Sequence, residues 1–248
     1  MTPPPATVAP EHLVRVLREQ GNAMLSPQGF SHLLHSPPGA LETLRTYWDD
    51  LAPDIYLRDS GRYRRRRHSC FVVDRDDVRC VPHRGHWQSI EYNALHGGLE
   101  RWFEPMAAEM VVQPLWQQIL RVMATCCSAL KGVQPWYVEA HQFRIDTTDG
   151  IGRPTPEGAH RDGVDFVVVV LVGRLGIKGG ETRVFEAAGA HGIRFTMSEP
   201  WSVLVLDDER FIHETTPIQP IDASAKECGH RDTLVLTFRA SGFQQPAG

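Results

Sequence analysis

Six apolar residues in a row, Val167 to Val172, constrain the fold of this 248-residue chain more than any other stretch. A strand with one face in water alternates apolar and polar side chains, and this one does not alternate. It is expected to be buried on both faces, between a helical layer and the interior of a β structure. The partner layer is legible upstream. From Met110 to about Leu130 apolar residues recur at 111, 112, 115, 116, 119, 120, 122, 123, 126, 127 and 130, which is helical spacing over a length no strand reaches. Pro114 falls near the start of this helix, where a missing N–H is tolerated. So apolar a helix is expected to buttress the outside of a sheet.

Around these two elements the chain divides. Residues 1–10 hold four of the 18 prolines and read as a loosely draped lead-in. Pro10 to Gly21 has a Pro entry, an apolar stripe and a Gly stop, the marks of a short amphipathic helix, and a second helix is expected over about Ala40 to Leu51. After Gly132 short β-prone runs alternate with Gly, Pro and acidic turns, placing strands near 136–145, 164–172, 181–186, 193–197, 201–206, 211–216 and 232–239. The class is mainly β with flanking helices (α+β). We expect one domain over 1–248, with a helical layer and first strands over 11–132 and a double-stranded β-helix (jelly-roll or cupin-like) core over 133–241.

Immediately before the apolar strand stands His160-Arg161-Asp162, in Pro154-Thr155-Pro156-Glu157-Gly158-Ala159-His160-Arg161-Asp162-Gly163. Two residues separated by one share a face of extended chain, so this His and Asp point the same way. With 12 His and 15 Asp in the chain, chance predicts roughly 0.7 such pairs, and the tripeptide alone carries little weight. His230-Arg231-Asp232 repeats it, but no His follows that copy. The first copy has His191, His213 and His230 downstream. His191 lies in a turn-like Ala-Gly-Ala-His-Gly, whereas His213 lies in the β-prone run Arg-Phe-Ile-His-Glu-Thr-Thr. His160, Asp162 and His213 therefore make a candidate 2-His-1-carboxylate triad, a donor set suited to Fe(II) that leaves coordination positions open. Ligands distant in sequence but adjacent in space suit a double-stranded β-helix.

The stretch from about Val138 to Phe238 resembles the 2-oxoglutarate and Fe(II)-dependent dioxygenases that include bacterial L-isoleucine dioxygenase, related free-amino-acid hydroxylases, and proteins associated with biofilm, stress and motility. The residues that carry the resemblance are His141 to Ile145, Pro154 to Asp165, Gly179 to Thr182, Leu206 to Asp208, His213 to Ile218 and Arg231 to Phe238. It implies catalytic metal ligation by His160, Asp162 and His213, with 2-oxoglutarate and molecular oxygen as cosubstrates. It also implies a free, small, aliphatic L-amino acid as substrate, with a peptide or a nucleobase, or a non-catalytic metal-binding role, as alternatives. Carried onto this sequence, the cosubstrate carboxylate falls to Arg231. The residues agree with that placement. Arg231, Thr233, Val235, Thr237 and Arg239 share one strand face and Leu234, Leu236 and Phe238 the other, so the polar face is expected to look inward, with Thr233 or Thr237 adding a hydroxyl.

Gln142 and Arg144 alternate with Phe143, which suggests a polar pocket face with Gln142 as a cosubstrate or substrate contact and His141 in the core. Glu157 either binds a substrate ammonium or orients the loop. The two signs of charge near the motif, Glu157 and Asp165 against Arg144 and Arg161, match the ends of a zwitterion, and Phe143, Ile145 and Phe211 are candidates to hold its aliphatic part. The basic run Arg62 to Arg67 leads into Ser69 to Val73 and reads as a strand. Its alternate arginines are expected to face solvent and Asp74, Asp76 and Asp77, or one of them reaches the site and binds a substrate carboxylate. Net charge of −4 and a pI near 6.3 argue against nucleic-acid or membrane partners. No apolar run reaches membrane-spanning length. Five Cys without CxxC spacing read as reduced thiols, hence a cytoplasmic location. The oligomeric state is open.

Overall fold

The computed structural model describes residues 2–59, 61–93, 95, 97–224 and 227–246. Its main sheet is built from β1 (Asn22–Leu25), β2 (Arg64–Asp74), β3 (Asp77–Cys80), β4 (Trp136–Asp146), β5 (Phe166–Leu175), β9 (Val203–Asp207) and β12 (His230–Arg239). They run in the order β1-β9-β5-β12-β4-β2-β3, each neighbouring pair antiparallel. A smaller sheet orders β10 (Phe211–Thr215), β7 (Thr182–Glu186) and β8 (Gly192–Phe195), and β6 (Ile177–Gly179) pairs with β11 (Ile218–Pro220). Helices α1 (Leu13–Gln20), α2 (Pro27–Leu33), α3 (Ala108–Val111) and α4 (Pro114–Lys131) flank these sheets. The result is a mostly antiparallel β protein with a jelly-roll, cupin-like core. Among the described residues no helix is long and apolar enough to cross a membrane.

The apolar strand behaves as its sequence requires. On β5, Val168, Val170 and Val172 join a core with Trp116, Ile119 and Met123 of α4 and Leu234, Leu236 and Phe238 of β12. The alternate residues Val167 and Leu171 meet Val184, Phe195 and Phe211 of the smaller sheet. Each face of the strand thus has its own apolar partner, which is why no polar position survives in the run.

Some elements depart from expectation. The long helix is two helices: Pro114 opens α4 as its first residue, where its missing N–H leaves nothing unpaired, and α3 ends before it. Residues Ala40–Trp48 form a 3-10 helix, burying Leu41, Leu44 and Trp48. β1 went unread because it is four residues long and directly follows Gly21, which closes α1 at φ +74°. α2 carried a signal in Ser26-Pro27, since Ser26 Oγ accepts from the N–H of Gly29 and Pro27 stands at the first helical position.

Candidate active site

The loop before β5 is tied to β10 by a two-way backbone bridge: His160 N–H donates to His213 O (3.1 Å) and His213 N–H to His160 O (2.9 Å). The bridge sets the two imidazoles side by side, ring centroids 4.8 Å apart. Asp162, two residues on, returns to the same side. Its Oδ1 lies 3.8 Å from His160 Nε2 and its Oδ2 3.7 Å from His213 Nε2, and the three prospective ligand atoms all fall within 4.8 Å of one another. His160 Nδ1 donates to the carbonyl of Gly158 (2.9 Å), which leaves the Nε2 lone pair facing Asp162. Burial and the neighbouring His160 push His213 down to about 4, so it offers a lone pair at neutral pH. Burial raises Asp162, and burial with Asp162 beside it raises Asp208 to about 6. His160, by contrast, is raised against its own burial by the charges of Asp162 and Glu157, so the site holds carboxylates strained toward protonation beside one imidazole that favours its proton, a concentration of negative charge that fits a divalent cation.

Asp208 shapes this loop. Its carboxylate accepts three backbone N–H groups, from Asp162 (3.0 Å), Gly163 (2.8 Å) and Val164 (3.1 Å). Gln244 Nε2 donates to the carbonyls of Asp162 (2.7 Å) and Gly163 (3.2 Å) from the C-terminal side. Gly163 sits at φ +75° with the Tyr92 ring where a Cβ would go, so no other residue fits. Gln88 Nε2 donates to Asp162 Oδ1 (3.0 Å) and steadies the carboxylate itself. In the sequence Asp208 stands out only among the residues that carry the resemblance, with no role of its own, and Gln88 and Gln244 do not stand out at all. Since such outer contacts typically change metal affinity tenfold to a hundredfold, Asp208→Ala is expected to weaken Fe(II) binding by about that factor, read by metal titration.

β12 forms one wall of the adjoining cavity, a space of about 120 Å³ that also opens onto all three prospective ligands. Arg231, Thr233, Val235 and Thr237 face it, while Leu234, Leu236 and Phe238 face α4. Arg231 is buried, its Nε has no hydrogen-bond partner, and it makes no ion pair among the described residues. Burial, with Arg174 alongside, pulls its pKa down to about 10. Such a guanidinium lacks an anion.

β4 presents the opposite face from the one expected. Glu139, His141, Phe143 and Ile145 line the cavity. Gln142 and Arg144 point away: Gln142 Nε2 donates to Tyr47 O (3.1 Å), and Arg144 forms a two-pronged pair with Asp232 (2.8 and 2.7 Å) and reaches Asp49. Arg144 and Asp232 are directly opposite on paired strands, so the polar residues of this face satisfy each other outside the cavity. Asp165 is also outside, bound to Lys131 Nζ (2.7 Å) and the N–H of Ala240. Phe211 packs between the sheets rather than on the cavity. Glu157 does line the cavity, 3.7 Å from His160 Nε2, with Oε2 unpartnered.

The basic run is a strand, but its partners differ from those expected. Arg65 and Arg67 face outward, toward Asp146, Asp50 and Glu104, and not toward Asp74, Asp76 or Asp77. Arg64 and Arg66 face the cavity. Arg64 pairs with buried Asp54 (2.7 Å), whereas Arg66 stands 3.8 Å from the same carboxylate. Arg101 adds a third guanidinium, donating to Gln88 Oε1 (3.0 Å) with no carboxylate partner among the described residues. The Nε atoms of Arg66 and Arg101 are both unpartnered.

Beside them lies a second cluster, His68, His86, Glu139 and His141, all buried, with ligand-capable atoms within 4.8 Å of one another. Its hydrogen bonding does not suit a metal. Arg66 Nη2 donates to His141 Nδ1 (2.7 Å), consuming the lone pair, and His68 Nδ1 has no acceptor for the proton that ligation through Nε2 would leave there. Glu139 instead accepts from His68 Nε2 (2.9 Å) and His86 Nδ1 (2.6 Å). Burial pushes His86 from 6.5 down to about 4, as it does His213. The unfolded imidazoles take up protons below 6.5 that the folded ones refuse, so stability is full above 6.5 and declines toward 4. Asp162 and Asp208, raised by burial, and His160, raised by its carboxylate neighbours against its own burial, act in the opposite sense, so the readout is a difference: in urea unfolding of the metal-free protein His86→Asn is expected to lose about 2 kcal/mol less than the wild type between pH 7 and 4.5.

The chain belongs to the 2OG-Fe dioxygenase family, whose model matches residues 45–237. It is an oxygenase that works with Fe(II), 2-oxoglutarate and molecular oxygen. A crystal structure of a bsmA homologue from Methylobium petroleophilum PM1 is 51% identical, covers 98% of this chain and 97% of that one, and superposes with a TM-score of 0.91. The fold is shared at lower identity, 18% in each case, with IDO from Bacillus thuringiensis (TM-score 0.74; 96% and 98% covered) and with the Fe(II)/α-ketoglutarate-dependent dioxygenase TqaL (0.70; 93% and 86%). No curated protein matches the sequence.

Proposed function

We propose that this dioxygenase hydroxylates the side chain of a free α-amino acid. The observation that carries the reading is that charged groups of both signs keep unused hydrogen-bonding atoms on one small cavity next to the triad: Oε2 of Glu157, and Nε of Arg66 and of Arg101. An ammonium would satisfy Glu157 and a carboxylate the two guanidiniums, whose forked donors match it. Three guanidiniums at this end, Arg64, Arg66 and Arg101, stand against three carboxylates, Asp54, Glu139 and Glu157. A ligand with two charged ends and no net charge disturbs that balance least.

In this reading His160, Asp162 and His213 hold Fe(II), and the metal supplies the redox chemistry that couples oxidation of 2-oxoglutarate to hydroxylation. Arg231 grips the far carboxylate of 2-oxoglutarate and Thr233 adds a hydroxyl. Glu157 fixes the substrate ammonium, so that one C–H bond is presented to the metal in a repeatable orientation. The main-sheet wall and the loop tied down by Asp208 keep bulk water from the reacting face.

The test is succinate release by the Fe(II)-loaded protein across the twenty amino acids, with mass detection of a gain of about 16 Da for one oxygen atom, beside short peptides and methylated nucleobases. Stimulation by one or more amino acids is expected. Product from the peptides or nucleobases alone would sink the amino-acid reading and leave the oxygenase chemistry intact.

A further inference from the structure

Strands β2 and β4 pair His68 with His141 and Cys70 with Glu139 across the sheet, and the segment between β3 and α3 adds His86 to that strip. Glu139 holds both imidazole hydrogens, that of His68 on Nε2 and that of His86 on Nδ1, the latter at 2.6 Å. A carboxylate behind Nδ1–H fixes the tautomer and leaves His86 a single lone pair, on Nε2. Burial keeps this imidazole neutral. His86 lines the cavity, and its Nε2 has no hydrogen-bond partner among the described residues.

The ends of an amino acid already have partners at Glu157, Arg66 and Arg101, so His86 Nε2 is the acceptor left over. An aliphatic side chain, which the sequence resemblance implies, would bury it without a donor. Ile145, Val164, Val169 and Val235 give the cavity some aliphatic lining, but the Arg66 guanidinium stands 4.5 Å from the Phe143 ring centroid, so the lining is mixed rather than purely apolar.

We propose that His86, oriented by Glu139, accepts a hydrogen bond from the side chain of the substrate, and that the preferred substrate is an amino acid bearing a hydroxyl or amide N–H donor. The proposal rests on the amino-acid reading above and narrows it. Sites built around a buried hydrogen-bonding group reject isosteres that lack the matching group far more strongly than apolar pockets separate one hydrocarbon from another. In this arrangement His86 touches substrate, and Glu139 is a positioning residue.

The experiment compares near-isosteric pairs with Fe(II)-loaded wild-type protein: threonine against valine, asparagine against leucine, and glutamine against methionine. Expected is a kcat/KM for succinate release favouring the donor-bearing member of at least one pair by about a hundredfold or more. His86→Leu should collapse that ratio to less than about tenfold. His86→Gln, whose carbonyl is still an acceptor, should restore part of it, and Glu139→Gln should lower the ratio by letting the ring turn, an effect on selectivity that a merely structural role would not produce. Thermal melting checks that each variant folds, and if His86→Leu does not, the wild-type pairs decide alone. Equal or better turnover of the aliphatic member in every pair overturns the proposal and leaves the amino-acid reading standing. Stimulation by none of the amino acids overturns both.

Discussion

His213→Ala is expected to bind Fe(II) more than about a hundredfold more weakly than the wild type and to release no measurable succinate, while keeping its fold. The fold should survive because His213 belongs to a three-stranded sheet whose apolar contacts come from its neighbours, Phe211 and Val184 among them. Metal affinity should not, because two donors remain and one of them, Asp162, then lies near an unfilled volume. His160→Ala and Asp162→Ala should behave alike. His191→Ala supplies the contrast: its side chain is 89% exposed and among the described residues reaches Glu186, outside the cavity lining, so full metal binding and full turnover are expected. Metal analysis of the purified variants separates the two sets without relying on activity. Full Fe(II) binding by His213→Ala, or its loss in His191→Ala, would falsify the assignment.

The triad was legible from its spacing and from the elimination of the other histidines, and of the cavity walls the legible one is the strand with an apolar side. On β12 the alternation of Arg231 and Thr233 with Leu234, Leu236 and Phe238 could be oriented, because α4 covers the apolar face. On β4 the same reasoning pointed the wrong way. Both of its faces carry polar residues, and the outward Arg144 has its counterpart in Asp232 on the neighbouring strand, information that resides in pairing rather than in the strand itself. The basic run was legible in part. Its alternation sends Arg65 and Arg67 outward and leaves open that an arginine reaches the site, but the partners, Asp146, Asp50 and Glu104 outside and buried Asp54 inside, lie in other segments. His86, Gln88 and Arg101 come from an irregular segment with no periodicity, and their roles emerge only where chain segments remote in sequence meet.

Arg231→Ala is expected to weaken 2-oxoglutarate binding by about 2 to 5 kcal/mol, since it removes a buried charged partner from a carboxylate. That corresponds to roughly thirtyfold to several-thousandfold, and it should appear as a raised KM for 2-oxoglutarate with Fe(II) stoichiometry unchanged. Arg231→Lys keeps the charge but loses the planar fork, and should fall between the two. Arg239→Ala is the control on the same strand: Arg239 Nη1 donates to the carbonyl of Gly242, and the residue does not line the cavity. Stability offers a second readout that is independent of turnover. In the free protein a buried guanidinium with an unpartnered Nε is a cost, so Arg231→Met should melt no lower than the wild type and lose the stabilisation that 2-oxoglutarate confers on it. If Arg231→Ala instead binds 2-oxoglutarate as the wild type does, then Arg231 is a structural cation, and the carboxylate must be sought at Arg64, Arg66 or Arg101.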